Sequence, residues 1–177
     1  MKEVYLIRHA EKDPNGILTE RGEMAAQELA KVLPVFSKVV SSDSSRTQRT
    51  AELLTGKKPE IDDRAGFAMA SPQKSDDINR LAAENNTTFF EASKVYNDAA
   101  VLAGIDVKAK GLKALVTELL GELGEGEKAL VVSHDLSITP AVALDGLPAT
   151  SIDFLHGYVI HPGEKPLATD LRTLEQF

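Results

Sequence analysis

Two runs in the chain, Val4-Tyr5-Leu6-Ile7 and Ala129-Leu130-Val131-Val132, are apolar at every position. A strand with one solvated face alternates apolar and polar residues, so an unbroken apolar run needs cover on both faces. These two segments therefore demand an interior place in a sheet enclosed by helices. In the first third of the chain the elements read strand, helix, strand, helix, which favours parallel pairing with right-handed crossovers. The expected architecture is an α/β fold: a three-layer α/β/α sandwich around a mostly parallel central sheet.

Periodicity and punctuation place the other elements. Thr19 starts a helix in which Ala25, Leu29, Val32 and Leu33 share a face, and Pro34 marks its end. Residues 38–42 read as a second strand and 45–54 as a helix, stopped near Gly56 and Pro59. From 57 to 106 the pattern is less regular. Pro59, Gly66, Pro72 and Asn85-Asn86 punctuate two short helices, predicted over 75–84 and 89–102. Leu112, Leu115, Val116, Leu119, Leu120 and Leu123 then form an amphipathic stripe that ends in Gly124 and Gly126. A helix is predicted near Ile138 with Pro140 in its first turn, and strands over 154–161 and 167–174 flank the turn at Pro162-Gly163. No repeat or linker interrupts the pattern, so a single domain over 1–177 is expected. Within it, 57–106 is the segment expected to cover the substrate.

Charge narrows the choice of partners. With 27 acidic against 20 basic residues the net charge is −7, which disfavours non-specific nucleic-acid binding. The first apolar run is too short for a signal sequence and lacks a basic lead-in. No apolar stretch is long enough to span a bilayer. A cytoplasmic protein without a membrane partner is expected. The absence of cysteine excludes a thiolate nucleophile, disulfides and Cys-ligated zinc.

Polar groups follow three of the predicted strands: Arg8-His9 after the first, 42–46 after the second, and His134-Asp135 after the buried one. In an open α/β sheet those ends lie along one edge, where ligands collect. That edge would gather two imidazoles, two guanidiniums and a carboxylate. Two Arg hold a tetrahedral dianion through planar, charge-assisted forks. Arg46, in the first turn of its helix, adds free backbone N–H groups. Neighbouring cations keep an imidazole neutral and nucleophilic, and a carboxylic acid protonates a leaving alcohol. The set suits phosphoryl transfer.

Arg8-His9-Ala10-Glu11 with Asn15 resembles the RHGE…N signature of the histidine phosphatase superfamily, also called phosphoglycerate-mutase-like. Ser42 to Arg46 with Thr50-Ala51 is similar to its S…R…TA segment, and Val131 to His134 to its second-histidine strand. The resemblance implies a phosphohistidine intermediate on His9. Arg8 and Arg46 would clamp the phosphate, His134 would contact it in the transition state, and Asn15 would be a lesser phosphate ligand. It implies no cofactor and no metal. Ala10 stands where the family has Gly, tolerable if the backbone there has negative φ. The family's usual acidic segment is missing. Asp135 after His134 resembles the donor of the acid-phosphatase branch, and Asp63 is the second choice.

The expected function is a metal-independent phosphomonoester phosphatase acting on a small phosphorylated substrate or a phosphoprotein. A phosphoglycerate mutase and a phosphohistidine protein phosphatase are the enzymatic alternatives, and an inactive phospholigand-binding module the non-enzymatic one. Zinc held by His9, His134 and carboxylates would leave the Arg residues unexplained. Lys12, Arg49 and Arg64 are expected as solvated or paired cations. Phe67, Met69, Phe89, Phe90 and Tyr96 are expected in a partly apolar lid or in core packing.

Overall fold

The computed structural model describes residues 1–67, 71–148 and 150–169, with Ala168 and Thr169 described by backbone alone. Six strands, β1 (Glu3–Arg8), β2 (Lys38–Ser41), β3 (Glu60–Ile61), β4 (Lys128–Ser133), β5 (Gly157–Ile160) and β6 (Leu167–Thr169), form one sheet in the order β3-β2-β4-β1-β5-β6. β1, β4, β2 and β3 are mutually parallel, while β5 runs antiparallel to both β1 and β6. The two apolar runs lie side by side at the centre, with Val4 opposite Ala129 and Ile7 opposite Val132.

Strand periodicity explains the two cores. Val4, Leu6, Ala129 and Val131 point to one face, Tyr5, Ile7, Leu130 and Val132 to the other. The first set packs against α5 (Ala99–Glu122) and α6 (Asp135–Ala143), through Leu112, Val116, Leu119 and Ile138. The second packs against α1 (Glu20–Ala30) and α2 (Ser45–Thr55), through Ala26, Leu29, Ala51 and Leu54. This is the expected three-layer sandwich. A third, smaller cluster joins α3 (Pro72–Glu84) and α4 (Phe89–Tyr96) to the start of α5 through Ile78, Ala92, Val101 and Ile105.

Several boundaries differ from the sequence expectation, for local reasons. The helix expected over 89–102 breaks at Asn97, whose φ of 53° ends α4, and Asp98 then caps a new helix by accepting from the N–H groups of Ala100 and Val101. That new helix, α5, runs on without a break into the Leu stripe. Gly104 and Gly111 do not interrupt it, because Val101, Ile105, Ala109 and Leu112 bury one continuous face. Pro140 lies in the second turn of α6, since that helix starts at Asp135, immediately after the strand. β5 starts only at Gly157, after Leu155 turns the chain with φ 62°. A Cβ on Gly157 would sit 1.9 Å from the Leu6 carbonyl oxygen, so only glycine fits there. β3 and a 3₁₀ turn (Asp63–Ala65) were not anticipated. Of the strand expected over 167–174, the part beyond Thr169 lies outside the described residues, as does Met69.

Candidate active site

Three parallel strands deliver the site. Arg8 ends β1 and pairs with Ser133, the last residue of β4, while Ser41 at the end of β2 pairs with Val132. The residues that follow, His9, Ser42 and His134, therefore leave neighbouring strands at the same edge. His9 is tied to that edge by its N–H, which donates to the Ser133 carbonyl at 3.1 Å. Ala10 is fully buried outside the left-handed region, and its N–H donates to Thr50 Oγ1 at 3.0 Å. A methyl group is thus accommodated where the family pattern has glycine.

Both imidazoles are 3% exposed, and their ring nitrogens are assigned by their partners. His9 Nδ1 donates to the Ala10 carbonyl at 2.8 Å, so Nε2 keeps its lone pair, and it faces Arg46 Nε at 3.2 Å. Arg46 Nη2 also donates to His134 Nδ1 at 3.3 Å, which leaves His134 Nε2–H to donate to Ser42 Oγ at 2.9 Å. Ser42 Oγ lies 2.7 Å from Thr47 Oγ1, which in turn donates to the Ser44 carbonyl at 2.8 Å. Arg46 thus bridges two neutral imidazoles. Burial, reinforced by Arg46, Arg8 and Lys12, lowers the His9 pKa to about 4, and burial beside Arg46 lowers that of His134 further.

Arg8 stacks on the Phe154 ring at 4.1 Å and donates through Nη1 to the Ile152 carbonyl, while its buried Nε finds no acceptor among the described residues. Such a donor suits an anion. Phe154 also lies against the His9 ring, and Phe67 meets the His134 ring edge-on at 4.6 Å.

These groups line a cavity of about 330 Å³. Arg8, His9, Arg46, His134 and Asp135 form its floor, and Lys12, Phe67, Ser75, Asn79, Phe89 and Leu136 its walls. Lys12, read from sequence as a solvated loop cation, is half-buried and reaches this cavity. Ser75 and Asn79, one turn apart on α3, were not anticipated, because neutral polar residues on a helix carry no signal without the fold. Of the lid candidates, Phe67 and Phe89 reach the cavity, whereas Phe90 and Tyr96 pack on the third cluster.

Two candidates stand off. Asn15 is exposed at the tip of a loop closed by the Lys12–Leu18 bridge, and its amide donates to Asp13. That loop nevertheless abuts Arg46: a Cβ on Gly16, whose φ is +85°, would lie 3.4 Å from Arg46 Nη1. Asp63 is exposed on the 3₁₀ turn and does not line the cavity. Asp135 does line it, but its carboxylate accepts from Thr139 Oγ1 at 2.7 Å, Ser151 Oγ at 2.6 Å and Ile152 N–H at 3.0 Å. Glu11 turns away to Thr19 and Arg21. Arg49 pairs with Glu23, and Arg64 with Asp62 and Glu118.

A second cavity, of about 380 Å³, lies at the opposite edge between α5, α6 and the turn after β5. Its walls are mainly core side chains such as Leu112, Val116 and Val142, and its Lys113 is already paired with Asp145. Converging cations and imidazoles, with the unsatisfied Arg8 Nε among them, mark the first cavity as the candidate site of chemistry. Among the described residues, no three His, Asp or Glu side chains come together as metal ligands would.

The model of the histidine phosphatase superfamily (branch 1) matches residues 4–157. A search among curated proteins finds no significant match. Solved structures with the same fold include YhfR of Bacillus stearothermophilus (23% identity, TM-score 0.67, 95% of each chain covered). They also include a mutant phosphoserine phosphatase from Entamoeba histolytica in complex with phosphoserine (18%, TM-score 0.66, 99% of this chain and 98% of that one). A phosphoglycerate mutase from Bacillus anthracis is a third (17%, TM-score 0.67, 97% and 94%). At these identities the likeness establishes the fold.

Proposed function

This chain belongs to the histidine phosphatase superfamily, branch 1, and we propose that it is a phosphatase that hydrolyses small phosphorylated metabolites through a phosphohistidine on His9. The observation that carries this reading is the bridging guanidinium: Arg46 contacts the unprotonated Nε2 of His9 and, with its other arm, His134. An anion drawn to Arg46 therefore arrives beside a nitrogen that has a free lone pair.

In the proposed first step, the phosphate dianion displaces Arg46 from the two imidazoles and takes its guanidinium, together with the Arg8 Nε donor and Lys12. His9 Nε2 forms a bond to phosphorus, and the bond from phosphorus to the leaving group breaks with its electron pair on the departing atom. Once Arg46 leaves its ring, His134 takes the other tautomer by proton exchange with solvent, so that Nε2 accepts from the Ser42 hydroxyl and Nδ1–H donates to a phosphoryl oxygen. Water then cleaves the N–P bond and restores the imidazole. The cations supply the charge stabilisation that a metal ion supplies elsewhere. The α3–α4 segment, which carries Ser75, Asn79 and Phe89, covers the leaving group.

The test is phosphate release from 4-nitrophenyl phosphate, measured with chelator present. Wild type is expected to turn over and His9→Ala to be inactive with an unchanged circular dichroism spectrum. Near-normal activity in a folded His9→Ala protein would remove the mechanism.

A further inference from the structure

Behind the His134 ring lies a pair of hydroxyls that do not line the cavity. Ser42 Oγ stands 2.9 Å from His134 Nε2 and 2.7 Å from Thr47 Oγ1, and it accepts the Ser44 N–H at 3.4 Å. Thr47 Oγ1 has two more acceptors in reach, the carbonyls of Ser44 at 2.8 Å and Ser42 at 3.2 Å. Both side chains are fully buried, so these bonds are made inside the protein. Thr47 lies in the first turn of α2, directly after Arg46. One helix turn therefore addresses both nitrogens of one ring, Nδ1 through Arg46 and Nε2 through Thr47 and Ser42.

Two hydroxyl oxygens 2.7 Å apart need a proton between them, and each hydroxyl has only one to give. The direction of that proton is thereby tied to the tautomer of His134. A guanidinium can only donate, so with Arg46 on Nδ1 the ring proton is on Nε2 and goes to Ser42. Ser42 then donates to Thr47, and Thr47 to the Ser44 carbonyl. Reversed, Thr47 donates to Ser42 and Ser42 to Nε2, which puts the ring proton on Nδ1. The reversal strands no buried group. The Ser44 carbonyl keeps the N–H groups of Thr47 and Gln48, each at 3.1 Å, and Ser42 Oγ keeps the Ser44 N–H. Two satisfied arrangements of one buried network differ little in energy, so the contact at Nδ1 decides between them.

We propose that Thr47 is a positioning residue which, through Ser42, lets His134 change from acceptor to donor when an anion takes Arg46 from it. The inference rests on the phosphatase reading above. Both hydroxyls rotate, and the ring loses its Nε2 proton to solvent and gains one at Nδ1. No bond between heavy atoms changes and no proton is consumed. In the empty site Nδ1 holds Arg46 folded across the two imidazoles. In the occupied one Nδ1–H holds a phosphoryl oxygen. Without the Thr47 hydroxyl, the Ser42 proton is left with His134 Nε2 as its partner among the described residues. The ring then carries its proton on Nδ1 in both states, and Arg46 loses an acceptor.

The experiment reads the His134 tautomer from long-range ¹H–¹⁵N spectra of the ¹⁵N-histidine-labelled full chain, with and without saturating inorganic phosphate. Wild type, Thr47→Val and Thr47→Ser are compared, and His134→Gln identifies the resonances. Wild type is expected to hold the proton on Nε2 when free and on Nδ1 with phosphate. Thr47→Val, similar in shape but without the hydroxyl, is expected to hold it on Nδ1 throughout, and Thr47→Ser to restore the switch. In parallel, kcat/KM for 4-nitrophenyl phosphate should fall by no more than about tenfold in Thr47→Val, the scale of one neutral hydrogen bond, and recover in Thr47→Ser. A His134 proton that stays on one nitrogen in wild type would overturn the proposal, and that arm needs no variant to fold. So would an intact switch in Thr47→Val. Either result leaves the phosphatase reading standing, because turnover and the label on His9 are measured apart from the tautomer. Neither turnover nor label in wild type would remove both.

Discussion

The strand-end edge and the α3–α4 segment face each other across one cavity, yet they are built differently. At the edge, each candidate side chain is held by specific partners: His9 by Ala10 and by Arg46 on α2, His134 by Ser42 just past β2, and Arg8 by Ile152 and Phe154 in the loop before β5. Opposite, Asn79 and Phe89 stand on helices held by the small cluster around Ile78, Ala92, Val101 and Ile105. A preorganised floor suits chemistry common to many substrates, while a lightly anchored cover suits the choice among them. Substitutions should therefore separate into those that remove turnover and those that change only which substrate is used.

The sharpest separation comes from His9→Ala, which should lower kcat by at least ~10⁴-fold on any phosphorylated substrate, as expected for loss of a nucleophile. Arg46→Ala should cost about 10²–10³-fold in kcat/KM, the range for loss of a transition-state donor, on aryl and alkyl substrates alike. A strongly substrate-dependent Arg46→Ala effect would blur the two regions.

Acid unfolding probes the same floor. The His9 pKa is about 4 in the folded protein against 6.5 for a free imidazole, so the unfolded chain binds the proton first as pH falls. Stability from this group is intact above about pH 6.5 and lost progressively toward pH 4. The loss amounts to on the order of 3 kcal/mol at about 1.4 kcal/mol per pH unit. His134 acts in the same direction. Denaturant midpoints for wild type and His9→Gln across this window should differ in slope, and identical slopes would show that the imidazole is not held neutral.

The smallest effect belongs to the cover. Phe89→Ala should change kcat/KM by no more than about tenfold for any one substrate, the scale of a contact in a partly apolar pocket, while reordering the preference between aryl and alkyl esters. A uniform hundredfold loss would mean that α4 supports the floor itself.

The same contrast explains what could be read from the chain. Val4 to Ile7 and Ala129 to Val132 announce a doubly covered sheet because burial on both faces forbids polar residues, and the residues behind those runs had to share an edge. Arg8, His9, Arg46 and His134 were legible for that reason. The break at Asn97 and the continuity of α5 were not, since a left-handed Asn and two helical glycines acquire their meaning from the packing of Val101, Ile105 and Ala109. Ser75 and Asn79 became visible only once α3 was set over the strand ends. Asp135 was located correctly in the cavity, but its partners Ser151 and Ile152 lie in a loop that no periodicity marks.

The central claim is that His9 takes the phosphoryl group. Wild type and His9→Ala would be quenched in alkali within a turnover of ³²P-labelled aryl phosphate, and the label mapped by peptide. The account predicts one labelled peptide, residue His9, with an acid-labile, alkali-stable bond that forms and decays at rates consistent with kcat. Full turnover with no label at His9, or label on His134 or an aspartate, would contradict it.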